Sequence, residues 1–198
     1  MLYELAHLIK ERCSFLWDMV EWVNATLFTC LYRKKLKEIP NVLEKCSSSF
    51  IIRETTIMDV KPLVRFFNEQ PMDAYMFFKP HGFDEKSVEK VLKNKAFLTY
   101  VVIDGYMIVG YFFLRCFVNG KCFRGRMVSF RQQGKGLGKL MSIAMGNIAS
   151  HLGLRMFCSI SPENYASLSS AKATNDIKIV KTLENGYYYI ECTPKSNC

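Results

Sequence analysis

The stretch SFRQQGKGLGKLM (129–141) packs three glycines and two lysines into thirteen positions. The residues before it read as a strand, and those after it as a helix. A glycine in a helix interior costs roughly 1 kcal/mol against alanine, so Gly134, Gly136 and Gly138 at a helix entrance signal a need for bare backbone. The segment is not a Walker A loop, because Gly138-Lys139 is followed by Leu140 and Gln133 stands where a glycine is required. It is not G-x-G-x-x-G either, since Lys139 takes the last position. The physical setting of both motifs persists. The first N–H groups of a helix have no intrahelical partner and carry partial positive charge. Without Cβ atoms in the way, an anion can reach them closely. Lys135 and Lys139 add charge, and a pyrophosphate is the natural guest.

Working outward, the chain alternates between two periodicities. FIIRET (50–55) reads as a strand, and Thr56 or Asp59 caps a helix running to about Glu69, with Pro62 tolerable only in its first turn. Asp84 caps a second helix over 85–94. Residues 96–130 read as three strands turning at Asp104-Gly105 and Asn119-Gly120, both suited to type I′ turns with positive φ at both central residues. A two-residue turn at 119–120 sets Cys116 opposite Phe123 and Cys122 opposite Phe117, so the two cysteines do not face each other. A helix over about 136–151, a buried strand over 155–160, a helix from Asn164 to about Thr174 and a hairpin over 178–193 turning at Asn185-Gly186 complete the order β-α-α-β-β-β-α-β-α-β-β. This predicts an α/β (α+β) domain over 50–193, with a mixed, mostly antiparallel central sheet flanked by helices.

Ahead of that domain, residues 1–46 read as an amphipathic helical extension, with CSSS (46–49) as a linker. Ser14, Asp18, Glu21, Ala25 and Thr29 form a narrow polar stripe, and apolar residues from Phe15 to Leu31 cover the rest. So wide an apolar face must be buried against something. The candidates are the following domain, a second subunit in a homodimer, or a membrane surface. In the last case Trp17 and Trp22 would sit at headgroup level, and the basic run YRKKLK (32–37) would touch anionic lipid.

The bulk numbers narrow the function classes. The 198 residues are 49% hydrophobic and 23% charged, so most of the chain is expected to fold. The net charge of +9 favours an anionic ligand or surface. The cations are scattered without an aromatic-studded stripe, which argues against nucleic acid. Eight cysteines without a C-x-x-C pair, and only three histidines, argue against a zinc site or any other metal centre. The cysteines are read as reduced and the compartment as cytoplasmic. Glu4, Lys10, Glu11 and Arg12 interrupt the early apolar residues of any signal peptide. Asp18 and Glu21 argue against a membrane span. Peripheral contact at the inner membrane face stays open.

QGKGLG (133–138) matches Q/R-x-x-G-x-G/A, and VSFRQQGKGLG (128–138) aligns with V-x-P-x-x-R-G-x-G-x-G, with Phe130 in place of Pro and Gln133 in place of Arg. SPENYASLSSAKATND (161–176) is similar to N-x-x-A/S-x-x-L-Y-x-K-x-G-F, with Asn164 and Ser167 in register. In these motifs and in strand order the chain resembles the GNAT superfamily, the Gcn5-related N-acetyltransferases, over residues 50–193. FFKPHGF, RMFCSISPENYAS and LENGYYYIE look like a bacterial branch associated with surface-polysaccharide biosynthesis.

The resemblance implies an acetyl-CoA-dependent N-acetyltransferase acting on a small-molecule amine acceptor, an amino sugar among the candidates. It implies that the amides of Gln133, Gly134, Lys135, Gly136, Leu137, Gly138 and Lys139 hold the CoA pyrophosphate. It also implies that Val128, Ser129 and Phe130 pair with the pantetheine arm between two splayed parallel strands, with Asn164 and Ser167 beside it; Asn164 reads equally as a helix N-cap. The usual thiolate-protonating Tyr of the family falls at Ala171, so Ser170, Tyr165 or a water is left for that role. His81 is the candidate base or substrate ligand, against a surface-loop reading. Arg124 and Arg126 either line the acceptor side for an anionic substrate or face solvent. The departure at Ala171 keeps a second reading open, a catalytically degenerate CoA-binding module. A membrane- or partner-docked accessory protein is the third.

Overall fold

The computed structural model describes residues 14–46 and 49–195, so residues 1–13 of the expected N-terminal helix, part of the expected linker, Cys13 and Cys198 lie outside the described residues. The helices are α1 (Ser14–Lys37), α2 (Ile39–Glu44), α3 (Val60–Asn68), α4 (Glu85–Lys93), α5 (Leu137–Leu152) and α6 (Tyr165–Thr174). The strands are β1 (Ile51–Glu54), β2 (Phe97–Asp104), β3 (Met107–Phe117), β4 (Lys121–Val128), β5 (Arg155–Ile160), β6 (Asn175–Thr182) and β7 (Tyr188–Pro194). They form one seven-stranded sheet in the order β1-β2-β3-β4-β5-β7-β6, antiparallel except for the β4–β5 pair. This is the mixed, mostly antiparallel sheet expected from the sequence.

Helices cover both faces. On one face, α1, α2 and α5 pack on Tyr100, Val102, Phe112, Leu114, Cys122 and Met156, with Phe28, Met141, Met145 and Ile148 wholly buried. On the other, Leu63, Phe66 and Phe67 of α3 and Val88 of α4 pack on Val101, Tyr111, Phe113 and Met127. Period-two alternation along β3 and β4 separates these two sets. Local signals start the helices as expected. Thr56 N–H donates to Asp59 Oδ2 (2.7 Å) ahead of α3, and Pro62 lies in that helix's first turn. Ser87 N–H donates to Asp84 Oδ1 (3.0 Å) at the start of α4.

The hairpins depart from expectation in one consistent way. No non-glycine residue among those described has a positive φ, so none of the three turns is type I′. Asp104 pairs with Met107, leaving Gly105 (φ 59°) and Tyr106 as the loop, with glycine alone in the left-handed region. Phe117 pairs with Lys121, so that loop has three residues and ends on Gly120 (φ 75°). Thr182 pairs with Tyr188, with Gly186 (φ 80°) in a longer loop. One extra residue shifts the register, and Cys116 lies directly opposite Cys122. The six described cysteines are all free.

The structure turns much of the apolar surface of α1 outward. Its polar stripe faces the domain: Glu21 pairs with Arg115, and Asp18 with Lys90 (2.7 Å). Asn24 reaches Cys116 O (2.9 Å), and its Oδ1 accepts from Val118 N–H (3.1 Å). Phe28, Tyr32 and Leu36 complete the contact. Much of the apolar surface therefore faces outward, because the acids have cations to meet on the domain side.

Candidate active site

β4 and β5 pair only over Lys121–Phe123 and Arg155–Phe157. Past that point β4 stays on β3 through Val128, and β5 stays on β7 through Ile160, so the two parallel strands part. Backbone groups of alternate residues face opposite edges of a strand. Ser129 N–H donates to Val109 O (2.9 Å) on the β3 side, which turns the backbone groups of Val128 and Arg126 toward the open side. Phe130 N–H is held by Gln70 Oε1 (3.0 Å), while Gln70 Nε2 donates to Phe66 O (2.7 Å). Of the three residues expected to pair with a pantetheine arm, Val128 has its N–H free to do so, while those of Ser129 and Phe130 are engaged within the protein. Gln70, buried and anchoring the strand end to α3, carried no signal in the sequence.

The glycine loop follows directly. Gly134 (φ 78°) and Gly136 (φ 82°) both adopt the left-handed conformation, which L side chains rarely take, and open space lies where their Cβ atoms would be. Gly136 is the N-cap of α5 with no side-chain cap, and the first backbone bond there is Leu140 N–H to Gly136 O (3.0 Å). The N–H groups of Leu137, Gly138 and Lys139 precede that bond. Gln133, Lys135 and Lys139 are exposed, whereas Leu137 is buried and pins the turn to the core.

Beneath the first turn of α5 lies a feature the sequence left open. A Cβ on Gly138 would sit 3.6 Å from Arg126 Nε and 3.6 Å from Ser170 Oγ. Ser170 Oγ is buried without a hydrogen-bond partner among the described residues. Arg124, 3% exposed, donates to Ser142 Oγ (2.8 Å) and Cys192 Sγ (3.3 Å). Ser142 also accepts from Thr174 Oγ1 (2.8 Å), which ties β4, α5 and α6 together. Neither Arg124 nor Arg126 forms a salt bridge with a carboxylate among the described residues. Burial and the Arg124 cation lower Arg126 to about 10, so it remains charged at neutral pH. A hydrogen bond from Cys192 (Sγ–Sγ 3.6 Å), together with the two cations, draws the Cys158 thiol below its usual value. Two uncompensated guanidinium groups and a helix N-terminus thus share one corner of the molecule. Arg124 belongs to the interior there, on neither a solvent face nor an open acceptor face.

The remaining candidates are spread out. Asn164 caps α6, its side chain accepting from Ser167 N–H (3.0 Å). Tyr165 is 78% exposed on the first turn of α6. Ala171 is wholly buried in the core. His81 lies on the opposite face of the sheet, ringed by Phe67, Phe83, Phe97 and Tyr111. Gly82 O can only accept, so His81 Nδ1 donates to it (2.7 Å) and Nε2 accepts from the Tyr111 hydroxyl (3.0 Å). Burial holds its pKa below the usual histidine value. Arg126, Ser170 and the glycine loop come together; His81, packed among the aromatic rings of the other face, does not join them.

No family model matches the sequence, and no curated protein does. Solved structures match the fold. The GNAT domain of S. lividans PAT aligns with a TM-score of 0.62 at 15% identity, over 71% of this chain and 88% of that one. The aminoglycoside acetyltransferase AAC(6')-Ib, solved with paromomycin and acetyl-CoA, aligns at 0.59 and 15% identity, over 75% and 94%. A spermidine N-acetyltransferase chimera of Vibrio cholerae SpeG and hSSAT aligns at 0.55 and 19% identity, over 76% and 98%. The chain has the GNAT fold.

Proposed function

We propose that this chain is an acetyl-CoA-dependent N-acetyltransferase acting on a small amine. The observation that carries the reading is the parting of β4 from β5 after Phe123 and Phe157, leading directly into two left-handed glycines at the mouth of α5. A diphosphate fits this corner. Its charge would meet the amides of 133–139, with Lys135 and Lys139 outside and Arg126 beneath. An extended amide-bearing arm fits the open edge of β4, with the Val128 N–H as its donor. Acetyl-CoA would supply an acyl group activated as a thioester. Against it, the Arg126 N–H, the next amide along the same open edge, would hold a carbonyl oxygen where negative charge develops. Ser170 Oγ, without a partner and beside Arg126, is the residue best placed to donate toward a departing thiolate. Asn164 and Ser167 shape the start of α6 beside the arm. Aminoglycosides and spermidine are named with solved structures of this fold. An amino sugar of surface-glycan assembly is the acceptor we would try first, in the cytoplasm.

A second reading is a CoA-binding module without turnover. It would account for Ala171 being sealed in the core, for the exposure of Tyr165, and for His81 having both ring nitrogens engaged on the far face. Thiol release from acetyl-CoA over a panel of amino sugars, polyamines and aminoglycosides separates the two. Amine-dependent release that falls at least tenfold in Ser170→Ala supports the enzyme. Tight CoA binding without release for any amine assigns the binding module, and no CoA binding removes both.

A further inference from the structure

The outer face of α1 carries Leu16, Met19, Val20, Val23, Leu27 and Leu31, all between 41% and 69% exposed. At 3.6 residues per turn they fall within an arc of about 120°. Lys34 and Lys37, both exposed, continue the same arc in the last turn, with Arg33 beside it. Among the described residues of α1 no acid lies on that arc, and Glu38, just past its end, reaches His151 Nε2 (3.5 Å). The two acids of the helix are turned away, Glu21 to Arg115 and Asp18 to Lys90. Lys35 points inward as well, its Nζ donating to Leu152 O (3.3 Å). The opposite side of α1 is already covered, with Phe28 wholly buried and Asn24 bonded to the β3–β4 turn.

We infer that this face of α1 docks flat on an anionic lipid bilayer. A contiguous apolar arc of this kind is uncommon on a free surface. Its companions choose the occupant: cations at one end and acids withdrawn give a face that complements phosphate headgroups over acyl chains. On a second copy the described residues of the same arc are equally basic and offer it no counter-charge. No described helix is long and apolar enough to cross a membrane, so α1 lies on the surface with Leu27 and Leu31 inserted and Lys34 and Lys37 at the headgroups.

Flotation of the full chain with vesicles tests this. On phosphatidylglycerol–phosphatidylcholine vesicles the chain is expected to float, and on phosphatidylcholine alone to bind roughly tenfold or more weakly. Leu27→Glu with Leu31→Glu should abolish flotation, and Lys34→Glu with Lys37→Glu should remove the preference for anionic lipid. Both variants change exposed residues and should bind CoA as the parent does, which keeps this test apart from the proposed function. The inference is overturned by a parent chain that stays with the unbound fraction, by equal binding to both vesicles, by the double leucine variant floating like the parent, or by a dimer in light scattering that the same variant splits.

Discussion

The two faces of the sheet handle polar groups in opposite ways. On the α3/α4 side, His81 is packed by four aromatic rings, and both its nitrogens and the Tyr111 hydroxyl have partners. On the α5/α6 side, among the described residues, Arg126 has no carboxylate and Ser170 Oγ no partner, and the first amides of α5 open onto bare glycines. Buried polar groups are normally satisfied, and each exception costs stability. The first face therefore contributes to folding. The second holds groups that a ligand would complete, and the histidine, the residue type most readily suspected of catalysis, sits on the stabilising side.

Four substitutions can break or sharpen that contrast. Phe67→Ala, at a wholly buried ring touching Phe66, His81, Phe83 and Tyr111, should lower unfolding free energy by about 3–5 kcal/mol in denaturant melts. The folded fraction should keep its CoA affinity. Arg126→Gln should do the reverse: CoA affinity in calorimetry drops by about 10- to 100-fold, as expected for a lost charged hydrogen bond, while the ligand-free melting temperature holds or rises as an uncompensated cation disappears. Gly138→Ala should split the two properties more finely. The added methyl has ordinary contact distances to Arg126 and Ser170, so stability should hold or gain up to about 1 kcal/mol, while CoA affinity falls a few-fold.

The smallest effect concerns pH. Burial lowers the His81 pKa in the folded chain below its unfolded value. Its contribution to stability is thus complete above the unfolded pKa and is lost as pH falls through the folded one. His81→Gln should flatten the melting temperature between pH 7 and pH 5 relative to the parent. An unchanged slope would show that the histidine is not buried as described.

How much of this was legible beforehand differs by element. The glycine loop was, because a demand for bare backbone can be met only by one residue type, and residue type is what a sequence states. Element order was legible from periodicity. Hairpin register was not: Asn119-Gly120 serves a two-residue or a three-residue loop equally well, and the choice fell to the one in which glycine alone takes positive φ. The outward turn of α1 was hidden because that helix is apolar on both sides, and its orientation is set by Arg115 and Lys90, far along the chain. Arg124 was hidden for the same reason, since Ser142 and Cys192, which hold it, lie 18 and 68 residues away. The ring around His81 is assembled from α3, the loop before α4, β2 and β3, and no local pattern announces it.

Backbone hydrogen exchange of the full chain with and without CoA tests the central claim most directly. The account predicts slowed exchange at the amides of 133–139 and at Val128, with no change around His81. No slowing anywhere, or slowing confined to the α3/α4 face, would contradict it.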